Sequence, residues 1–109
     1  MKPLTVNEQM LLLTIWRLKD GAYGVNIRNE VMKYTEMDVG FGTLYNNLEQ
    51  LVKKDYVISF KGEPTAARGG KRKVYYKITD TGLDALQSAK ELQEKLWDGI
   101  SGLALFRKN

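Results

Sequence analysis

The sequence predicts a mostly α-helical domain that contains one β-hairpin, in the α+β class. Apolar residues recur every three or four positions over residues 5–54 and again from residue 80 onward, which is the period of amphipathic helices. Between these regions, "YVISF" at 56–60 and "KVYYKIT" at 73–79 are β-rich and alternate in the side to which residues point, as two paired strands do. The predicted order is therefore three helices, a two-stranded hairpin and a last helix.

The first predicted helix covers residues 5–19 and is apolar on more than one side. Thr5 is a suitable N-cap, Glu8 three residues later completes a capping box, and Asp20-Gly21 stops the helix. One face carries Leu11, Ile15 and Leu18, and the surface beyond it carries Met10, Leu12, Leu13 and Trp16. A helix with so little polar surface must be buried on two sides. We expect a second subunit on the second side; a central helix wrapped by its own chain is the alternative.

The second and third helices are predicted at about residues 24–34 and 41–54. The third has a core stripe of Leu44, Leu48 and Leu51, and its opposite face carries Thr43, Asn46, Asn47, Gln50, Lys53 and Lys54. Asparagine and glutamine pair with adenine, threonine contacts a base edge or a thymine methyl, and lysine suits phosphates. We therefore expect Thr43, Asn46 and Asn47, in the first half of this helix, to read bases. A plain solvent-exposed face is the alternative.

Two residues of the third helix fit this polar face less well. Tyr45 flanks the core stripe, so its hydroxyl either reaches a phosphate or belongs to a partly buried structural side chain. Glu49 is the acidic exception, and we expect it to face away from the polar surface or to form an ion pair.

The hairpin connection has the densest positive charge in the sequence. "RGGKRK" at 68–73 places paired glycines beside four cations that can reach phosphates: Arg68, Lys71, Arg72 and Lys73. A solvated turn would explain this stretch equally well if it stood alone. Together with the third helix it predicts a winged helix-turn-helix, in which the third helix enters the major groove of double-stranded DNA and the hairpin is the wing.

The fourth helix begins at Asp80 and carries a seam of apolar residues. Leu83, Leu86, Ala89, Leu92 and Leu96 recur every three or four positions, with Trp97 beside them. We predict a homodimer in which this helix meets the first helix, with an interface formed by Leu12, Leu13, Trp16, Leu86, Leu92, Leu96 and Trp97. On this interpretation residues 1–79 are the DNA-binding domain and residues 80–109 are a dimerisation helix and tail.

Composition excludes several other functions. The 109 residues fit one domain, and the net charge of +4 permits an anionic partner without requiring one. The chain has no cysteine and no histidine, which removes disulfides, thiol nucleophiles, the usual zinc ligands and the commonest general base. The apolar run at 10–16 is too short to span a bilayer. We therefore expect a cytoplasmic protein that is not an enzyme, with no cofactor, metal or membrane partner.

Several segments together resemble the PadR family of bacterial transcriptional regulators. They are "AYG" at 22–24, "GTLY" at 42–45 and "GGKRKVYYKIT" at 69–79 followed by Gly82, and the resemblance extends from Leu4 to about Leu86. It implies a dimeric winged helix in which the last helix packs across the first helix of the partner. It further implies a repressor that releases DNA on binding a small molecule, here at a pseudo-palindromic operator. The alternative is a winged-helix interaction module that has lost DNA binding.

An effector site is expected at the predicted subunit interface. The short C-terminal part is similar to the smaller PadR subfamily, some members of which bind flat aromatic drugs against a tryptophan on the last helix. Met10, Trp16 and Trp97 would form an apolar, adaptable slot suited to a planar aromatic or phenolic compound. The alternative is that both tryptophans only pack the interface.

Overall fold

The computed structural model describes residues 2–63 and 72–100. Four α-helices and one antiparallel hairpin follow each other in the predicted order, which confirms the fold class. The elements are α1 (Val6–Leu18), α2 (Gly24–Thr35), α3 (Phe41–Lys53), β1 (Val57–Lys61), β2 (Val74–Ile78) and α4 (Asp80–Trp97), with a 3-10 turn at Lys19–Gly21 after α1. The paired glycines, Arg68 and Lys71 of the predicted wing lie outside the described residues.

The N-terminus of α1 has the capping box that the sequence predicts. The Thr5 hydroxyl accepts a hydrogen bond from the Glu8 amide at 3.1 Å, and the Glu8 carboxylate accepts one from the Thr5 amide at 2.9 Å. The helix ends at Leu18, slightly earlier than predicted, because Lys19 has a left-handed φ of 52°. Within the described residues, no helix is long and apolar enough to cross a membrane.

One hydrophobic core joins the elements, and α1 lies at its centre. Its members are Leu11, Leu12, Ile15, Ala22, Ile27, Val31, Leu44, Leu48, Leu51, Val57, Tyr76, Ala85 and Ala89, with Leu4 at the edge. Leu12 is wholly buried here, so it cannot contribute surface to a subunit interface, and this part of the prediction is corrected. For this side of α1 the wrapped-helix alternative is the right one. Leu13 and Trp16 on the neighbouring side remain 49% and 46% exposed.

The hairpin is fixed against the start of α2. Val57 pairs with Ile78, and Phe60 pairs with Tyr75. The Tyr76 amide donates to the Ala22 carbonyl at 2.8 Å, and Tyr23 forms an isolated bridge with Tyr75. The segment between α1 and α2 thus acts as a short third strand. This contact sets where the wing lies relative to the helix-turn-helix.

Candidate nucleic-acid interface

The exposed side of α3 is a polar face. Leu44, Leu48 and Leu51 are buried beneath it, and the exposed side chains are Thr43, Asn46, Glu49, Gln50 and Lys53. At 100° per residue, Thr43 and Glu49 lie about 60° to either side of Asn46. Asn46 is therefore at the centre of the face. The structure brings the predicted residues Thr43, Asn46 and Gln50 onto one continuous surface.

Arg28 holds the connection between α2 and α3. Its Nε donates to the Val39 carbonyl at 2.6 Å, and Nη2 forms an ion pair with Asp38 at 3.2 Å. The guanidinium also lies over the Phe41 ring, 4.8 Å from its centroid. Arg28 therefore fixes the start of α3. The sequence analysis missed this residue, because nothing in the helical pattern shows that its side chain reaches the following connection.

Tyr45 packs directly on Gly24. A Cβ atom at position 24 would lie 2.7 Å from the Tyr45 Cζ and closer still to its hydroxyl oxygen, so this contact requires a glycine. The Tyr45 ring also stacks on Phe41, with 6.1 Å between the ring centroids. Tyr45 is 41% exposed. It therefore holds α2 and α3 together while its outer edge stays open to a ligand.

A concave groove of about 360 Å³ separates α3 from the base of the wing. Its walls include Tyr23, Tyr45, Glu49, Arg72 and Lys73. The Lys73 ammonium lies over the Tyr23 ring, 4.1 Å from its centroid, and the Lys73 carbonyl accepts from the Gly62 amide at 2.8 Å. Two predicted phosphate ligands, Arg72 and Lys73, therefore line the same groove as the flank of α3.

Glu49 faces this groove, contrary to the expectation that it points away or forms an ion pair. The described residues contain two ion pairs, Arg28 with Asp38 and Lys54 with Glu8, and neither involves it. Burial raises the pKa of Tyr76, and the negative charge of Glu49 adds to that rise, so the carboxylate is electrostatically close to the sheet.

Lys54 and Asn47 are less available for DNA than the sequence indicated. The Lys54 ammonium contacts the Glu8 carboxylate at 2.6 Å, which ties the C-terminus of α3 to the N-terminus of α1. Desolvation raises the pKa of Glu8, but the hydrogen bond and charge of Lys54 and the hydrogen bonds with Thr5 together outweigh it, so the pKa of Glu8 is lowered. Asn47 is half-buried at the edge of α3, in a groove that it shares with Met10 and Met37.

A second exposed surface, the α1–α4 face, is apolar. It comprises Leu13, Trp16, Leu92, Leu96 and Trp97, and Leu96 and Trp97 are 62% and 53% exposed. Between the two helices runs a groove of about 530 Å³ lined by Leu13, Trp16, Leu83, Leu86 and polar neighbours. Leu92 lines a separate groove with Pro3 and Leu4. Large apolar side chains exposed in this number mark a candidate interaction surface.

The three predicted effector residues do not come together within one chain. The Lys19 ammonium lies 3.7 Å from the centroid of the Trp16 ring, and the Trp97 indole donates to Gln93 at 3.2 Å. Met10 lies in a different groove, where it faces α3 and the connection before it. On α1 it is about 120° away from Trp16. Met10 is therefore removed from the expected slot. Among the described residues, no cluster of side chains could hold a metal ion.

Comparison with known proteins identifies the architecture. The model of the transcriptional regulator PadR-like family matches residues 12–88. A PadR-like transcription factor from Bacteroides fragilis is 28% identical with a TM-score of 0.69, covering 83% of this chain and 82% of its own. RosR of H. salinarum is 25% identical with a TM-score of 0.69, covering 94% and 86%.

A transcriptional regulator from Clostridium thermocellum is 26% identical with a TM-score of 0.61, covering 87% of this chain and 95% of its own. No curated protein matches the chain significantly.

Proposed function

The chain belongs to the PadR-like family of DNA-binding transcriptional regulators, and from this premise we propose that it is a ligand-responsive repressor that binds a pseudo-palindromic operator as a homodimer. Members of this family are regulators and not enzymes. Residues 1–79 serve as the DNA-binding domain, and residues 80–109 serve in dimerisation. The observation that carries the proposal is the polar face of α3 beside the cationic base of the wing.

In this proposal α3 enters the major groove and reads bases with Asn46, Gln50 and Thr43. Asn47 contributes from the edge of the face. Arg72 and Lys73 bind phosphates next to α3, and Arg68 and Lys71 extend this contact along the wing. The exposed edge of Tyr45 lies in the same groove, where its hydroxyl suits a phosphate oxygen.

The homodimer forms through the α1–α4 face. Two chains related by a two-fold axis bury the same surface on each other, so each covers the apolar residues of the other. The two α3 helices then lie on one side of the DNA in successive major grooves, about 34 Å apart. An operator that matches this symmetry is a pseudo-palindrome.

The effector occupies the α1–α4 groove, between Trp16 and the partner subunit's Trp97. A planar aromatic or phenolic compound fits a slot bounded by two indoles and leucines. Binding of the compound separates the first helix of one subunit from the last helix of the other. This separation changes the spacing of the two α3 helices and lowers the affinity for the operator. The competing interpretation is that these tryptophans only pack against each other.

The experiment is a fluorescence anisotropy titration of the protein with its own promoter DNA and with random DNA over a series of salt concentrations. Replacing Lys71 and Arg72 by alanine should weaken both complexes equally and reduce the salt slope by about 4, because the dimer carries each of the two residues twice. Asn46→Ala should cost about 1–3 kcal/mol on operator DNA and little on random DNA. Lys33→Ala is the control, because Lys33 is exposed near the end of α2 and lies outside both the α1–α4 groove and the polar face of α3.

Other results of the same titration contradict parts of the proposal. The opposite pattern would mean that the roles of α3 and the wing are reversed. Absence of DNA binding by the wild type would favour a winged-helix interaction module. Planar aromatic dyes and phenolic acids, added to the operator complex, should release DNA from the wild type but not from a Trp16→Ala variant. Equal release from both would exclude the slot.

A further inference from the structure

Glu49 is the one acidic residue in the sequence of α3, and it lies on the exposed face of that helix. It is three residues after Asn46, whereas Thr43 is three residues before it. The two positions are therefore displaced from the centre of the face by the same angle, about 60° in opposite directions. Any docking of α3 that brings Thr43 to base edges on one side brings Glu49 near them on the other.

The surroundings of Glu49 leave its carboxylate available. Lys73, which lines the same groove, is held over the Tyr23 ring. Both ion pairs in the described part of the chain involve other acids. Glu49 and Arg72 are exposed. The groove thus combines cations suited to phosphates with one acid that phosphates repel.

A carboxylate in a DNA interface accepts hydrogen bonds and donates none. In the major groove the amino groups of cytosine and adenine are the available donors. The adenine amino group lies beside the N7 acceptor, which repels a carboxylate, whereas cytosine presents its N4 amino group without an acceptor on its own edge. Of the bases, cytosine is the one that this side chain suits.

We propose that Glu49 is a specificity-determining residue that accepts a hydrogen bond from the N4 amino group of a cytosine in the operator. On DNA that lacks this cytosine, the unmatched carboxylate remains beside phosphates and base acceptors, and binding is penalised. Specificity then comes from a repulsive element as well as from attractive contacts. This inference rests on the proposed function, because it requires α3 to lie in the major groove.

The test uses Glu49→Gln, which keeps the size of the side chain and removes its charge. Wild type and variant are titrated with the promoter operator, with a panel in which each base pair of the operator is changed singly, and with random DNA. We expect the wild type to lose about five- to a hundredfold in affinity when one C·G pair is changed. Glu49→Gln should lose this discrimination at that pair alone and should bind random DNA more tightly.

Asp84→Asn is the matched control, because it makes the same charge change at an exposed position of α4. It should leave the profile of the panel unchanged. Circular dichroism melting checks that the folded state is intact.

The inference would be overturned if wild type and Glu49→Gln lost affinity to the same extent at every changed base pair. This includes the case in which Glu49→Gln binds all DNAs more tightly by the same factor because repulsion is reduced. A second contrary outcome is that the wild type binds operator and random DNA with equal affinity. That result would refute the proposed function, and the inference would fall with it.

Discussion

The double substitution Leu92→Glu, Leu96→Glu tests how the subunits associate. Both leucines project from the second half of α4, where they are 41% and 62% exposed in the single chain. Together they expose about as much surface as one entire leucine side chain. If the α1–α4 face is the dimer interface, this surface is buried on association, and the glutamates place two charges in it.

The expected effect follows from the burial of apolar surface. Complete burial of a leucine side chain contributes about 1.5–3 kcal/mol. A two-fold interface contains this contribution twice, so its loss costs about 3–6 kcal/mol of dimerisation free energy. This corresponds to a rise of roughly 10²- to 10⁴-fold in the dimer dissociation constant. The desolvation of the introduced carboxylates adds to it.

Sedimentation equilibrium at micromolar protein concentration measures this constant directly. The wild type should be a dimer and the double variant a monomer. Met37→Glu is the control, because Met37 is 53% exposed and apolar but lies in the connection before α3. It should not change self-association. A wild type that sediments as a monomer, or a shift below about tenfold in the double variant, would refute the assignment of this interface.

Two further predictions concern contacts that position α3. Gly24→Ala should destabilise the fold by only about 1 kcal/mol, because the added methyl group displaces the Tyr45 ring and that partly exposed ring can swing outward. In a Tyr45→Ala background the same change should cost far less. A double-mutant cycle measured by denaturant unfolding would show the difference. Equal costs in the two backgrounds would exclude the contact. The lowered pKa of Glu8 means that its interaction with Lys54 stabilises the fold above the ordinary glutamate value of 4.5 and is lost as the pH falls through the lower folded value. The difference in unfolding free energy between wild type and Glu8→Gln should therefore shrink as the pH falls below the ordinary value of 4.5, and a difference that does not change under acidic conditions would contradict this.

Most of the fold could be predicted from local sequence signals. Thr5 and Glu8 form the predicted capping box, and β1 and β2 pair as their alternation indicated. β1 begins one residue later than expected, because Asp55 adopts a left-handed φ of 64° and the Tyr56 amide bonds back to the Leu51 carbonyl. These features follow mainly from residues near one another in the sequence, so the sequence alone indicates them.

The incorrect predictions concern which part of the protein packs against each face of a helix. The pattern of α1 shows that Leu12, Leu13, Met10 and Trp16 are apolar, but not that its own chain covers Leu12 completely. It also does not show that Met10 and Trp16 line separate grooves. These facts depend on how α1 crosses α3 and α4, and the periodicity of one helix carries no information about crossing angles. For the same reason the sequence did not place Glu49 in the groove beside the wing.

The placement of the wing relative to α3 is set by three consecutive residues, Ala22, Tyr23 and Gly24. The Ala22 carbonyl accepts the hydrogen bond from the Tyr76 amide of β2. The Tyr23 ring packs edge-on against Tyr75 at 5.5 Å and holds the Lys73 ammonium. Gly24 receives the Tyr45 ring from α3.

The first two of these residues contact the hairpin, and the third contacts α3. Any shift of this segment therefore moves the wing cations relative to the polar face of α3. These contacts explain its sequence, "AYG": Ala22 is wholly buried, Tyr23 supplies the ring, and the Tyr45 ring in its observed position leaves room only for glycine at position 24. The segment follows α1 directly in the chain and lines the groove, so a change in the packing of α1 has a direct structural route to both α3 and the wing.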